Sequence, residues 1–323
     1  MIKRVGLFLC INLVVLITIG FLVRLLGVDR WMTESGIDYN QLLAFSAVLG
    51  FTGSFISLMM SKSLAKISVN ARVISEPQTE EERWLVKTIG DLADAARVKM
   101  PEVAIYSGTA NAFATGAFRD DSLVAVSTGL MRSMTRSQVR AVLAHEMSHI
   151  KNGDMVTMTL IQGVLNTFVF FFARVVAFFL NSSKNGDDHR RRSNGIGYYF
   201  TVQICEILFG ILASIVAFAF SRHREYKADA GAAELLGSPK DMIEALQVLG
   251  TKKVQPLPSE MKAFGIVDIP SSVAELFSTH PSLQNRIKAL SAGLPLGKTV
   301  QKKPSPAGGL FGSVSSEEKN SEN

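Results

Sequence analysis

The sequence AVLAHEMSHIKNGD occupies residues 141–154, and at its centre His-Glu-Met-Ser-His runs from His145 to His149. Good helix formers precede this pattern with apolar residues at helical spacing, and Thr135 is well placed to cap a helix. We therefore predict one helix that carries both histidines. Because residues i and i+4 project from the same helix face, the two imidazoles can bind a single Zn²⁺.

Glu146 lies between these histidines and would point beside the metal. Its carboxylate can then act as general base toward a water that zinc activates, which is the chemistry of metal-assisted peptide hydrolysis. A buried helix can also carry two histidines for packing alone. The chain has only 5 histidines, however, and two of them flank a glutamate at this spacing, which favours the metal site.

The composition points to a membrane protein, since 47% of the 323 residues are hydrophobic and only 19% are charged. Four apolar runs are each long enough to cross the ~30 Å hydrocarbon core of a bilayer. They comprise residues 5–26, 41–60, 157–180 and 198–220. A signal peptide is the competing interpretation of the first run, but the run is too long and lacks a cleavage site. We predict two transmembrane hairpins.

Basic residues predict the orientation of the first hairpin. Lys3 and Arg4 precede it, and Lys62 and Lys66 follow it, which places the N-terminus and the zinc motif in the cytoplasm. The loop 181–197 of the second hairpin contains three consecutive arginines, which conflicts with a spanning hairpin. The alternative is a helix pair that packs on the cytosolic domain or the membrane interface. We favour the spanning hairpin.

Polar residues inside the second hairpin, Arg174 and Glu206, suit contacts between its two helices or a groove open to water. Cys10 and Cys205 lie in apolar runs, so neither a disulfide nor a thiolate zinc site is indicated. The net charge of +6 fits an anionic membrane surface, and no basic face with interleaved aromatics suggests nucleic acid as a partner.

Between the hairpins the sequence is typical of a soluble domain. Helical periodicity covers residues 80–96, and residues 103–106 and 123–126 are predicted as short strands, separated by the Gly- and Ala-rich stretch 107–116. A small sheet should therefore precede the zinc helix. In that stretch Asn111 could hold the backbone of a substrate added as a strand. A turn asparagine after Gly108 would fit the same spacing.

The stretch SRHREYKADAG, residues 221–231, follows the last apolar run. A catalytic zinc needs a third protein ligand, and Glu225 is the best candidate because the chain returns from the membrane just before it. Asp229 lies one turn further on, where it could orient a ligating histidine. His223 is the rival ligand, and a charge cluster beside the membrane without any metal role is the third interpretation.

Four segments together resemble the HtpX family, bacterial inner-membrane zinc metalloproteases related to the CAAX prenyl proteases. They are HEMSH, SRHREYKADAG, NAFATG at residues 111–116 and STHPSLQNRIKAL at residues 278–290. The resemblance implies the zinc ligands His145, His149 and Glu225, the general base Glu146, Asp229 beside the metal, a substrate strand near Asn111, and His280 as donor to the oxyanion. Alternatively, His280 and the proline after it form a turn that caps the following helix, and the sequence would then look the same.

The patterns and the resemblance predict a mainly α membrane protein with two hydrophobic helical hairpins and a cytosolic α+β, gluzincin-type peptidase domain with a small sheet. The predicted units are a hairpin at 1–60, peptidase segments at 61–156 and 221–297, a second hairpin at 157–220 and a disordered tail at 298–323. The resemblance implies one zinc per chain. It also implies a role in the bacterial stress response and protein quality control, in which the protein would cleave misfolded or damaged membrane proteins on the cytosolic side. The membrane-bound AAA protease would act alongside it.

Two other functions fit parts of the sequence. One is a membrane scaffold or chaperone with a non-catalytic peptidase-like domain, against which Glu146 argues because that residue serves catalysis and not metal binding. The other is a metal transporter, whose ligands should lie within the apolar runs. The candidate ligands here lie on predicted soluble helices instead.

Overall fold

The computed structural model of the chain describes residues 38–182, 196–251, 278 and 280–293. The first predicted apolar run, residues 5–26, and the predicted tail, residues 298–323, lie outside the described residues. The helices are α1 (Tyr39–Ser68), α2 (Glu80–Ala96), α3 (Thr128–Ser133), α4 (Arg136–Asn152), α5 (Asp154–Ser182), α6 (Ile196–Leu236), α7 (Lys240–Thr251) and α8 (Leu283–Ser291). The strands are β1 (Arg72–Val73), β2 (Glu102–Tyr106), β3 (Ala112–Phe118) and β4 (Asp121–Ser127).

Three described helices, α1, α5 and α6, are long and apolar enough to cross a membrane. They contain the predicted runs 41–60, 157–180 and 198–220. Helix α5 packs against both α1 and α6. At ~1.5 Å per residue, α6 extends about 60 Å, which is twice the ~30 Å hydrocarbon core. Its last turns therefore project beyond the apolar run into the domain that holds the zinc motif.

Contacts between the long helices account for the small and polar residues within the apolar runs. A Cβ atom on Gly50 of α1 would lie 2.7 Å from the backbone nitrogen of Thr167 in α5, so only glycine permits this approach. Between α5 and α6, Nη1 of Arg174 donates to Oε1 of Glu206 at 2.9 Å. The prediction of polar contacts within the second hairpin is thus confirmed.

The small sheet predicted ahead of the zinc helix is present, with the strand order β1-β2-β4-β3. Strands β2 and β4 are parallel, while β1 pairs with β2 and β3 pairs with β4 in the antiparallel sense. The sequence predicted neither the two-residue strand β1 nor β3, whose alanine and glycine residues have low β propensity. Pairing with β4, which is buried from Ser122 to Ser127, overrides that preference, and a register irregularity falls between Thr115 and Phe118, where Gly116 has φ of 140°.

Helix α4 lies at the centre of the domain, as its sequence predicts. The Thr135 side chain and Gln138 form a reciprocal capping box at its start, and Gly153 ends it with a left-handed φ of 66°. Its apolar face, which includes Leu143 and Met147, is fully buried in the main core. That core is shared with α2, β4, α6 and α7, so the rotation of α4 about its axis is fixed by packing.

The C-terminal end of α1 is joined to the sheet by ion pairs. Lys62 contacts Asp121, and its Nζ lies 2.7 Å from Glu102. Lys66 adds a second contact to Glu102 at 2.9 Å. Because Asp121 begins β4, which pairs with β3, these contacts set the edge strand at a fixed place relative to the membrane helices.

Candidate metal centre

The two histidines of the HEMSH pattern lie one turn apart on α4 and face the same way. Their Nε2 atoms are 3.2 Å apart. His145 is buried, and His149 is only slightly more accessible. Since the capping box and the core fix α4, both imidazoles are presented without help from any flexible loop.

Glu225 of α6 completes the group. Its Oε2 lies 3.3 Å from Nε2 of His145, and its Oε1 lies 3.4 Å from Nε2 of His149. The side chain is buried although it is ionisable, which indicates a functional partner. His223, the rival ligand, is exposed and does not belong to this group. The long helix α6 thus places Glu225, and not His223, beside the two histidines of the HEMSH pattern.

One ligand atom from each of these three side chains lies within 4.8 Å of the other two, which is close enough for all three to bind one metal ion. Ligands held at ~2.0–2.1 Å around a tetrahedral Zn²⁺ are separated by about 3.3–3.4 Å. Here the two Nε2 atoms are 3.2 Å apart, Nε2 of His145 lies 3.3 Å from Oε2 of Glu225, and Nε2 of His149 lies 3.4 Å from the other oxygen, Oε1. Two imidazoles and one carboxylate also form a donor set of a catalytic zinc site, which keeps a fourth position open. Within the part of the chain that the structure describes, this is the group of His, Cys, Asp and Glu side chains that could hold a metal.

Each histidine is supported on its other ring nitrogen by a carboxylate. Nδ1 of His145 lies 2.9 Å from Asp229, and Nδ1 of His149 lies 2.7 Å from Asp154. Such partners fix the tautomer and the ring orientation of ligating histidines. Burial alone would lower both imidazole pKa values, but hydrogen bonds to the carboxylates prevail: the pKa of His145 is raised, and that of His149 is raised to about 9.

Asp154 was missed in the sequence analysis, which considered only Asp229 for this role. The signal was available in the sequence, because Gly153 is a helix-ending glycine and the next residue lies directly under the last turn of α4. Its carboxylate can then reach back to His149, five positions earlier.

Arg286 of α8 was also missed. Its Nε donates to Oδ2 of Asp229 at 2.8 Å, and its Nη2 donates to Oδ1 at 2.6 Å. Its Nη1 lies 3.7 Å from Oε2 of Glu225. The guanidinium is buried, and two hydrogen bonds in parallel fix its plane. No spacing rule connects Arg286 with His145 or Asp229, so only the folded chain reveals this ion pair.

Glu146 is placed differently from the three candidate ligands. Its Oε2 accepts a 2.8 Å hydrogen bond from the backbone N–H of Ala114 in the edge strand β3. The general base proposed from the sequence therefore lies between the metal group and the strand edge, which is where a peptide bond would have to be cut.

The two remaining predicted residues lie on either side of this arrangement. Asn111 is exposed; its backbone N–H donates to Oγ of Ser127 and its backbone C=O accepts from the Ser127 N–H, each at 2.9 Å. His280 is 61% exposed at its side chain, and its Nδ1 lies 3.0 Å from Oε2 of Glu225. The structure thus brings His280 to the metal group and puts Asn111 at the start of the edge strand.

Comparisons with known proteins agree with this geometry. The model of peptidase family M48 matches residues 79–293. A "Protease HtpX homolog" of Chlorobium phaeovibrioides is 57% identical over 290 residues, which are 90% of this chain and 99% of that protein. The same-named protein of Janthinobacterium sp. is 53% identical over 288 residues, with 89% and 98% coverage.

Among solved structures, the crystal structure of S. mikatae Ste24p resembles the fold. The TM-score is 0.57 at 17% sequence identity, and the match covers 90% of this chain and 67% of Ste24p. This likeness concerns the arrangement of helices and sheet. It agrees with the predicted combination of membrane helices with a small-sheet peptidase domain.

Proposed function

The chain belongs to peptidase family M48 as an HtpX-like membrane metallopeptidase, and on that premise we propose that it is a zinc-dependent endopeptidase that hydrolyses misfolded or damaged membrane proteins on the cytosolic side of the bacterial inner membrane. The observation that carries the proposal is that the two α4 histidines and Glu225 each bring a ligand atom within 4.8 Å of the other two. The zinc, the substrates and the orientation are the parts that we propose.

Zinc would be held by His145, His149 and Glu225, one ion per chain. When bound, it would lower the pKa of a water molecule and polarise the carbonyl of the scissile peptide bond. Asp154 and Asp229 would keep the imidazoles in the tautomer that exposes Nε2 as a ligand. This donor set favours zinc over Mg²⁺ or Ca²⁺, which prefer oxygen ligands only.

Glu146 would accept the proton of the attacking water. Its Oε2 is already occupied by the Ala114 N–H, so Oε1 is the oxygen that takes the proton and later passes it to the leaving amine. A carboxylate held at one oxygen keeps the other in a constant position. The hydrogen bond from β3 therefore prepares the base before substrate arrives.

The substrate would bind as an additional strand on β3. Asn111 bonds to Ser127 of β4, so alternation turns the backbone groups of Ala112 and Ala114 away from β4 and toward the open edge. An extended, unfolded segment can use that edge, whereas a folded protein cannot. The Asn111 side chain would add a contact at one end of the added strand.

His280 would stabilise the oxyanion that forms on the substrate carbonyl. Its Nδ1 lies 3.0 Å from the Glu225 carboxylate and can donate to it, and the imidazole remains accessible, so in the imidazolium form the opposite nitrogen can donate to a bound substrate. His280 is thus exposed on one side and lies against a carboxylate on the other, so its exposed side is available to a substrate that occupies the site.

Cytosolic placement rests on charge. Lys62 and Lys66 follow the apolar part of α1, and the site lies at the same end of the long helices. In a chain whose Cys10 and Cys205 are replaced by serine, Ser63→Cys should resist an impermeant maleimide in spheroplasts, while Asn40→Cys at the other end of α1 should react. The reverse labelling would contradict the orientation.

Substrate class is tested with full-length, zinc-loaded protein in detergent. We expect cleavage of an unfolded soluble protein and of a membrane protein with unfolded cytosolic loops, no cleavage of the folded soluble protein, loss of cleavage with a chelator, and recovery with zinc. Binding of the unfolded proteins without any cleavage would favour the scaffold or chaperone function. The HtpX resemblance also implies a membrane-bound AAA protease as a partner. Co-purification of the two proteins from membranes would test that proposal.

A further inference from the structure

We propose that Arg224 is a positioning residue for the candidate zinc ligand His149 and acts through Asp154. The inference rests on the proposed metal centre and extends it by one residue. Arg224 immediately precedes Glu225 on α6, yet its side chain is directed to a different part of the site: Nη1 donates a 2.7 Å hydrogen bond to the backbone carbonyl of Asp154.

Asp154 needs such support because of where it lies. Helix α4 ends at Asn152, Gly153 turns the chain with a φ of 66°, and Asp154 is the first residue of α5. The carboxylate that holds Nδ1 of His149 at 2.7 Å thus belongs to the corner between two helices. A displacement of that corner moves the carboxylate directly.

The hydrogen bond from Arg224 fixes this corner to α6. A carbonyl oxygen has two lone pairs, so Asp154 can accept from the guanidinium and still join the helix that it begins. Because Arg224 and Glu225 are neighbours, the same turn of α6 then sets both Glu225 and the support of His149. This connection therefore links the support of His149 to the placement of Glu225.

A similar three-residue connection supports the other histidine. Arg286 holds Asp229 by two hydrogen bonds, and Asp229 holds Nδ1 of His145. Each candidate imidazole ligand therefore contacts an aspartate, and each of these aspartates accepts hydrogen bonds from an arginine. The two connections differ in one respect, since Arg286 bonds to a carboxylate and Arg224 bonds to a backbone carbonyl.

Two other roles for Arg224 make different predictions. If its positive charge acts only at a distance on Glu225 and Asp154, then Arg224→Lys should behave as wild type. If its buried Nε, which has no hydrogen-bond partner among the described residues, receives substrate, then substitution should raise KM and leave zinc affinity unchanged. A positioning role predicts loss of zinc affinity, with only partial rescue by lysine.

The experiment measures zinc affinity of the full-length protein in detergent by competition with a chelator. The variants are Arg224→Met, Arg224→Lys, Asp154→Ala and the double variant Arg224→Met with Asp154→Ala. Lys227→Met, an exposed position on the same helix, is the matched control that also removes one positive charge. The absorption spectrum of the Co²⁺-substituted protein reports ligand geometry independently of catalysis and remains informative for Arg224→Lys if Arg224→Met does not fold.

We expect Arg224→Met and Asp154→Ala each to weaken zinc binding by about 10–100-fold, the range found for residues that support metal ligands. The double variant should be hardly weaker than Asp154→Ala, because both changes remove the same support. Lys227→Met should retain wild-type affinity. Unchanged affinity in Arg224→Met, or losses that multiply in the double variant, would overturn the inference. If the wild type itself binds no zinc, the proposed function fails instead.

Discussion

The backbone N–H of Ala114, in the edge strand β3, donates a 2.8 Å hydrogen bond to Oε2 of Glu146 on α4. The strand that would receive substrate is thus joined to the group that would move the proton. One consequence is that the position of the Glu146 carboxylate depends on the position of the strand, and the sheet that contains this strand is held to α1 by ion pairs.

Removal of that N–H should slow catalysis without loss of the fold. Ala114→Pro deletes the donor at a position that faces away from β4, where an edge strand tolerates proline. We expect kcat to fall by roughly tenfold or more, since general-base catalysis contributes ~10²–10⁴-fold and depends on placement. Zinc content should not change.

Ala112→Pro is the matched control. It removes another edge-facing N–H of the same strand, but one that does not contact Glu146. Steady-state kinetics on an unfolded peptide should show a change mainly in KM for Ala112→Pro and mainly in kcat for Ala114→Pro. Equal effects of the two substitutions on kcat would contradict the role given to the Ala114 amide.

Replacement of one partner of the buried ion pair between Arg286 and Asp229 should destabilise the folded protein. Arg286→Met removes two hydrogen bonds from the Asp229 carboxylate, which is 1% exposed and keeps only its contact with His145. Breaking one side of a buried ion pair typically costs about 3–5 kcal/mol. We expect a clear fall in melting temperature, and recovery of most of it in Arg286→Met with Asp229→Asn. No fall in the single variant would mean that the pair contributes little to the folded state.

Zinc affinity should depend on pH in a defined direction. Hydrogen bonds to carboxylates raise the pKa of His149 to about 9, so the imidazolium is favoured in the metal-free protein. The stability that this proton adds is fully present below about 6.5, the unfolded pKa, and is lost as the pH rises through 9. Zinc requires the neutral imidazole, so the proton and the metal compete.

Apparent zinc affinity should therefore rise by about tenfold or more per pH unit between 6.5 and 9 and then level off. The melting temperature of the metal-free protein should decline over the same interval. The check is chelator competition across this range, with the protonation of the chelator taken into account. An affinity that is flat between these pH values would show that His149 does not exchange a proton for the metal.

The pair between Arg174 and Glu206 should hold the second hairpin together. Glu206→Leu leaves an arginine charge in the apolar part of α5, which costs about 2.5–3.5 kcal/mol on insertion scales. We expect lower thermal stability in detergent, and recovery in the double variant Arg174→Leu with Glu206→Leu. Thr201→Val, another polar-to-apolar change on α6, should have little effect. Equal stability of the single and double variants would refute a pairing role.

The sequence predicted those parts of the site that depend on local geometry. The HEMSH helix follows from its spacing and from Thr135, and helix α2 occupies residues 80–96 as predicted. Glu225 could be proposed because two consecutive apolar runs, each long enough to span, return the chain to the side from which it left. In each case a short stretch of sequence carries the physical signal.

The parts that were not predicted depend on contacts between distant segments. Arg286 meets Asp229 only after α8 packs beside α6, and Arg224 meets Asp154 across 70 positions of sequence. Strand β3 has a composition of poor strand formers and is specified by pairing with β4. Asp154 is different, since the glycine before it was a usable signal.

The most direct test of the central claim compares wild type with Glu146→Ala, each with its zinc content measured. The account predicts one zinc per chain in both proteins, because Glu146 does not belong to the ligand group, together with cleavage of an unfolded protein by the wild type alone. Equal cleavage by both proteins, or loss of zinc from Glu146→Ala, would contradict the assignment of Glu146 as the general base of a zinc peptidase.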